Sequence, residues 1–187
     1  HMIHFLFFSS SSSSSSQFSD LPSDFGLLSL RPSAGEVLRW AESLEALLSN
    51  QYGLTVFRHF LRSEFSEENL DFWLAVERFK RTRPSSKMAA RAAKIYDQFI
   101  STTAARQVNM DSAIREATNQ SMRLGISSAS FQLAQDQIFY LMETDSYPRF
   151  LKSRFYTQLA SQNTETIYCM QRKFFEIKND QICEAEC

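Results

Sequence analysis

Between residues 36 and 160 apolar side chains return every three or four positions, and this spacing restricts the fold more than any other feature of the chain. Val37, Trp40, Ala41, Leu44 and Leu48 mark one helical face. Tyr52, Val56, Phe57, Phe60 and Leu61 mark a second, and Leu70, Trp73, Val76 and Phe79 a third. Phe72 and Leu74 flank that third face, so its helix is expected to be buried over much of its circumference. Met88, Ala92, Ile95, Tyr96, Phe99 and Ile100 mark a fourth helix, and a shorter fifth is expected after Asp111. Phe131, Ala134, Ile138, Leu141 and Met142 mark a long sixth, with a final helical stretch after Asp145. No six-residue stretch alternates convincingly between polar and apolar, as a half-buried strand would. Four Gly and four Pro in 187 residues also suit helices with short loops. The fold expected is all-α.

Three zones separate by composition. Residues 1–35 hold eight consecutive serines, Ser9 to Ser16, and read as a flexible extension. Residues 36–160 form the helical domain, and residues 161–187 read as a tail with one apolar cluster at Phe174, Phe175 and Ile177. Twenty basic against 21 acidic residues give no push towards nucleic acid. Cys169, Cys183 and Cys187 cannot pair off among themselves, which favours a reducing, cytoplasmic compartment over a disulfide scaffold.

Loop lengths carry the argument further. Pro84 to Ser86 and Gly125 to Ser127 are short connections, and short connections make consecutive helices antiparallel neighbours. If the Ser66 helix leaves one end of a bundle, the Met88 helix returns to that end. The Asp111 helix then leaves it, and the Phe131 helix comes back. Glu64 to Asn69, Val108 to Asp111 and Leu141 to Arg149 should therefore gather at one end.

Reactive chemistry is hard to propose from residue type and spacing. The chain has no G-x-x-x-x-G-K-[ST] phosphate loop, and its cysteines lack C-x-x-C spacing, so neither a metal nor another cofactor is expected. His1, His4 and His59 stand apart from any candidate nucleophile. Ser66, Asp111 and Asp145 each read as helix N-caps, with Arg149 placed to pair with Asp145 four residues on. Capping accounts for Ser66, Glu67 and Glu68 but leaves Glu64 and Asn69 unexplained.

EVLRWAESLEALL, YGLTVFRHFLRSEFSEENLDFWLAVERFK, KIYDQFI, VNMDS and LMETDSYPRFLKS occur in that order over residues 36–160. Together they resemble the regulator of G-protein signalling domain, in its small members. The resemblance implies about nine helices around a central antiparallel four-helix bundle. It implies a GTPase-activating protein for heterotrimeric G-protein α subunits, with no catalytic group of its own. The partner implied is a GTP-bound α subunit of the inhibitory class, with the phospholipase-coupled class as a second. Carried onto matching positions, the α-subunit contacts are Glu64, Glu68, Asn69, Asn109, Leu141, Asp145, Ser146 and Arg149. Asn109 would hold the α subunit's catalytic Gln, and Arg149 would orient Asp145. The reading from a different class is a module with this fold that serves as scaffold or effector antagonist without activating hydrolysis.

Some positions depart from the family pattern. Val76 stands where many small relatives have Cys, Thr144 replaces a common Lys, and Gln132 replaces a usual Asp. No N-terminal basic amphipathic helix is visible in residues 1–35. Seven cations do fall between Arg78 and Lys94, among them Lys80, Arg81, Arg83 and Lys87. That cluster is either a solvated helix face or a surface for acidic phospholipid or a calmodulin-like acidic protein, which would recruit the chain to the inner face of the plasma membrane.

Overall fold

Apolar spacing becomes helix throughout the computed structural model, which describes residues 32–161. No strand occurs among the described residues. Eight helices with defined bounds follow one another: α1 Ala34–Arg39, α2 Leu44–Ser49, α3 Gln51–Ser63, α4 Glu67–Lys80, α5 Met88–Ile95, α6 Ser112–Leu124, α7 Gln132–Leu141 and α8 Tyr147–Lys152. Residues 154–161 add a further helical stretch. Single π-turns extend α5 over Tyr96–Ile100 and join α7 to α8 over Met142–Ser146. The Ser-rich extension before residue 32 and the Phe174–Ile177 cluster lie outside the described residues. Among the described residues no helix is long and apolar enough to cross a membrane.

The described chain divides into two compact units. In the first, residues 32–56 and 154–161, the single helix expected over Val37–Leu48 is two. Ser43 ends the first run by turning its hydroxyl to the Ala46 N–H at 3.0 Å, which caps α2 and leaves Trp40 to Glu42 as a turn. A reciprocal capping box starts α1. The Ser33 hydroxyl accepts from the Glu36 N–H, and the Glu36 carboxylate accepts from the Ser33 N–H at 2.7 Å. The Ser33 N–H is the main cause that holds the Glu36 carboxyl below its usual range. Its support for α1 is thus present above that range and fades as pH falls through the lowered value. Asn50 caps α3 by accepting from the Gly53 N–H at 2.9 Å.

In the second unit, Phe57–Ser153, α4 is the axis. Asn69, Leu70, Asp71, Phe72, Trp73, Leu74, Val76 and Phe79 are all buried, so the expectation of a helix buried over much of its circumference is met. Phe79 meets Phe131 edge-on at 5.2 Å, Gln135 Nε2 donates to the Trp73 carbonyl at 3.2 Å, and Trp73 lies 6.1 Å from Phe139. Residue numbers fall along α4 as they rise along α7, which makes the two antiparallel. Phe72 against Phe99 at 5.8 Å, with Arg91 donating to the Thr82 hydroxyl at 3.0 Å, gives the same sense for α4 and α5. With α6 packed on α7, these four helices form the central bundle. The α6 helix has thirteen residues, as many as α3, and is not the short element expected. Its apolar positions concealed its length, because they are few and the one buried residue of α6 is the polar Thr118. Phe150 closes the unit by packing edge-on against Phe57 at 5.2 Å and Phe60 at 5.6 Å.

Gly53 has no room for a side chain. A Cβ there would lie 2.9 Å from both the Leu47 carbonyl and Leu47 Cδ1, and 3.0 Å from Trp40 Cε2. Gly53→Ala is expected to lower stability by about 1–3 kcal/mol through this overlap, despite alanine's better helix propensity. The urea midpoint measures the loss.

Candidate functional site

Two of the three stretches expected at one end meet through one side chain, and the loop that carries the third is tied to the helices they belong to. Arg149 on α8 reaches back across the sequence to Glu64 at the end of α3, with Nη2 2.8 Å from Oε2. Its other nitrogen donates to Asp145 Oδ1 at 3.1 Å, so one guanidinium holds two carboxylates. The loop after the first π-turn joins the same end. Arg106 pairs with Glu67 at 3.7 Å, and the Asp111 N–H donates to Gln137 Oε1 at 3.1 Å. Asn109 is exposed there between buried Val108 and Met110, which anchor the loop on either side of it.

Local structure differs from the capping scheme in three places. Ser66 occupies the N-cap position of α4, but its hydroxyl caps no N–H and turns back to the Leu61 carbonyl at 3.4 Å. The Ser66 carbonyl takes the Asn69 N–H at 3.3 Å, and Glu67 and Glu68 supply the negative charge that the helix start favours. Asp111 likewise caps α6 through its backbone, whose carbonyl accepts the Arg115 N–H at 2.9 Å. Asp145 caps nothing. It lies inside the π-turn Met142–Ser146, which carries α7 into α8 without a break. Pro148 is tolerated because it stands in the first turn of α8. Both π-turns occur at this end, and such wide turns re-aim side chains where they interrupt α-helix.

The remaining expected residues divide by exposure. Glu68 and Leu141 are half-buried, whereas Glu64, Asp145 and Arg149 are exposed. Ser146 is only 3% exposed, so in this arrangement it contributes packing more than an open hydroxyl. Asn69 is also buried, at 6% exposure, and its Oδ1 accepts no hydrogen bond among the described residues. An unpaired buried acceptor costs roughly 1–3 kcal/mol, so Asn69 is held there at the expense of stability.

Phe65 was not among the residues expected. It is 93% exposed, with φ +55°. The α3 helix ends in a Schellman-type turn, with the Phe65 N–H on the Arg62 carbonyl at 3.1 Å and the Ser66 N–H on the Leu61 carbonyl at 2.9 Å. The left-handed position in that turn ordinarily takes Gly. A strained, outward aromatic at a helix junction between acidic residues points to contact with something outside the chain. The sequence did carry a signal, since Phe65 is a lone large aromatic inside the polar run SEFSEEN.

At the opposite turn Lys80 and Arg81 both lean on Glu77, at 3.3 and 3.8 Å. Arg78, Arg83, Lys87, Arg91 and Lys94 are exposed along the same turn and the start of α5.

At one end this all-helical bundle exposes Glu64, Phe65, Asn109 and Asp145. A family model for the regulator of G protein signaling domain matches residues 43–159. Regulator of G-protein signaling 8 of Mus musculus is 50% identical over 133 residues, covering 71% of this chain and 73% of that protein. The Homo sapiens protein of the same name is 48% identical over 133 residues, with the same coverage. Regulator of G-protein signaling 5 of Mus musculus is 48% identical over 129 residues, covering 69% of this chain and 71% of its own length. The chain belongs to the regulator of G protein signaling domain family.

Phe65→Gly separates strain from recognition. It is expected to raise folding stability by up to about 1 kcal/mol, the scale of a left-handed L-residue. Thermal denaturation measures this, and the same variant should lose affinity for the protein's partner.

Proposed function

We propose that this protein is a GTPase-activating protein for heterotrimeric G-protein α subunits, and so ends receptor signalling. The observation that carries the reading is the end of the bundle where Arg149 ties Glu64 to Asp145 next to exposed Phe65, with Asn109 exposed on the loop that Arg106 pins to Glu67. Family membership supports a G-protein α subunit as the partner, and we read its GTP-bound form as the target, with the inhibitory class first and the phospholipase-coupled class second.

The α subunit brings its own arginine finger and its water-orienting Gln to GTP hydrolysis. What it lacks is rigidity in the switch segments that carry them. In the proposed complex Glu68 and Asn69 hold switch backbone and side-chain groups, and the unpaired Asn69 Oδ1 suits a donor from the partner. Asn109 lies against the catalytic Gln and fixes its amide towards the attacking water. Asp145 accepts from a switch hydroxyl or N–H, oriented by Arg149, while Leu141 and Phe65 supply apolar area. No group of this chain forms or breaks a bond. Each tenfold of rate asks only about 1.4 kcal/mol of extra interaction in the transition state.

Single-turnover GTP hydrolysis by an inhibitory-class α subunit is expected to accelerate when the protein is added. Asn109→Ala and Glu68→Lys should each remove at least about tenfold of that acceleration, or about 1.4 kcal/mol, with circular dichroism unchanged. Binding to α subunits of several classes without acceleration would establish the scaffold or effector-antagonist reading instead.

The basic turn is read as a second surface, taking acidic phospholipid headgroups and so drawing the protein from the cytoplasm to the inner face of the plasma membrane. Lys80→Glu/Arg81→Glu should weaken binding to phosphatidylserine vesicles while leaving GTPase activation in solution intact. Unchanged vesicle binding would return the patch to a solvated helix face.

A further inference from the structure

Asp71 stands in the second turn of α4 at 6% exposure, and a carboxylate so deeply placed must be paired. Two guanidiniums from different elements meet it. Arg58 of α3 places Nη2 2.7 Å from Oδ1 and 2.9 Å from Oδ2. Arg106, from the loop between the first π-turn and α6, donates to Oδ2. Arg106 also pairs with Glu67 at 3.7 Å and lies 5.6 Å over the Phe99 ring. Arg62 completes the set by holding Glu67 at 2.7 Å.

The first half of the loop otherwise makes short-range hydrogen bonds, with the Ser101 N–H on the Tyr96 carbonyl at 2.9 Å and the Ala104 N–H on the Ser101 carbonyl at 3.0 Å. From Ser101 to Gln107 every residue is exposed or half-buried, so apolar packing cannot set its path. Packing resumes at Val108, whose N–H donates to the Phe99 carbonyl at 3.0 Å, and the next residue is Asn109. Arg106 therefore acts three residues before Asn109, on the helix that carries Glu68 and Asn69. Its planar fork lets one side chain reach two carboxylates and a ring face, which a lysine ammonium does less well.

We infer that Arg106 is a positioning residue, whose ion pair with buried Asp71 sets where Asn109 stands relative to Glu68 and Asn69. The inference rests on the reading of Asn109 as an α-subunit contact. Arg58 makes it testable, because Asp71 keeps one guanidinium when Arg106 is removed and no charge is left orphaned. Arg106→Ala should thus free the loop and leave the bundle folded, whereas Asp71→Ala would strand two cations at once.

Two measurements on the full chain decide it. Amide hydrogen exchange of free Arg106→Ala should quicken about tenfold at Val108, with α4 and α7 amides unchanged, because only the loop opens. In single-turnover GTP hydrolysis, Arg106→Ala should lose about tenfold of the acceleration, and Arg106→Lys should recover part of it. In an Asn109→Ala background the same change should cost nothing more, since residues that act as one unit are not additive. Unchanged exchange at Val108 overturns the inference, and so does an equal further loss without Asn109. A wild-type-like Asn109→Ala, or no acceleration by the wild type, instead overturns the α-subunit reading and the role given to Asn109. Exchange at Val108 still decides whether Arg106 holds the loop.

Discussion

Helix α4 is enclosed on nearly every side, and the rest of the Phe57–Ser153 unit is arranged around that burial. Phe72 and Phe79 take aromatic partners from the first π-turn and from the start of α7, while Trp73 meets Phe139. Polar groups drawn into this environment have to be answered. The Gln135 amide donates to the Trp73 carbonyl and to Glu77, and Asp71 takes two guanidiniums. A helix buried in this way cannot rotate or slide without breaking several contacts together. Its first turn is therefore a fixed platform, and that turn holds Glu67, Glu68 and Asn69.

On the proposed reading, this platform is what lets the domain act on its partner's reaction. Positioning a partner's mobile segments calls for polar groups whose own places are settled in advance, so that little ordering is left to do on binding. Arg149 does this for Asp145 by holding Glu64 as well, which ties α8 to the end of α3. Stability is given up locally at this end of the bundle. The strained backbone at Phe65 and the unpaired Asn69 Oδ1 are both unfavourable in the isolated chain.

Several site features were legible in the sequence because they follow from periodicity and loop length. The enclosure of α4, the gathering of Glu64, Asn109 and Asp145, and the Asp145–Arg149 pair needed no coordinates. The capping scheme was less secure. Ser66, Asp111 and Asp145 have the right residue type at the right place, yet none uses its side chain as a cap. Cap preference is worth only about 1 kcal/mol, which a competing turn or a continuous helix can override. At Ser66 the Schellman-type turn of α3 claims the residue first. At Asp145 a π-turn lets the helix run on, so the capping role never arises.

Sequence by itself determined the all-helical class of the described domain, the order of most of its helices, the enclosure of α4 and which loops lead towards one end. Those properties depend on apolar spacing and chain connectivity, and both can be read one residue at a time. Tertiary structure alone decided the long-range partners. Arg106 and Arg58 both belong to Asp71, Arg149 belongs to Glu64, and Phe65 is turned outward in a left-handed conformation. An ion pair between residues 35 or 85 positions apart has no local signature. It depends on how two helices and a loop settle against each other, and that depends on the packing of the whole bundle.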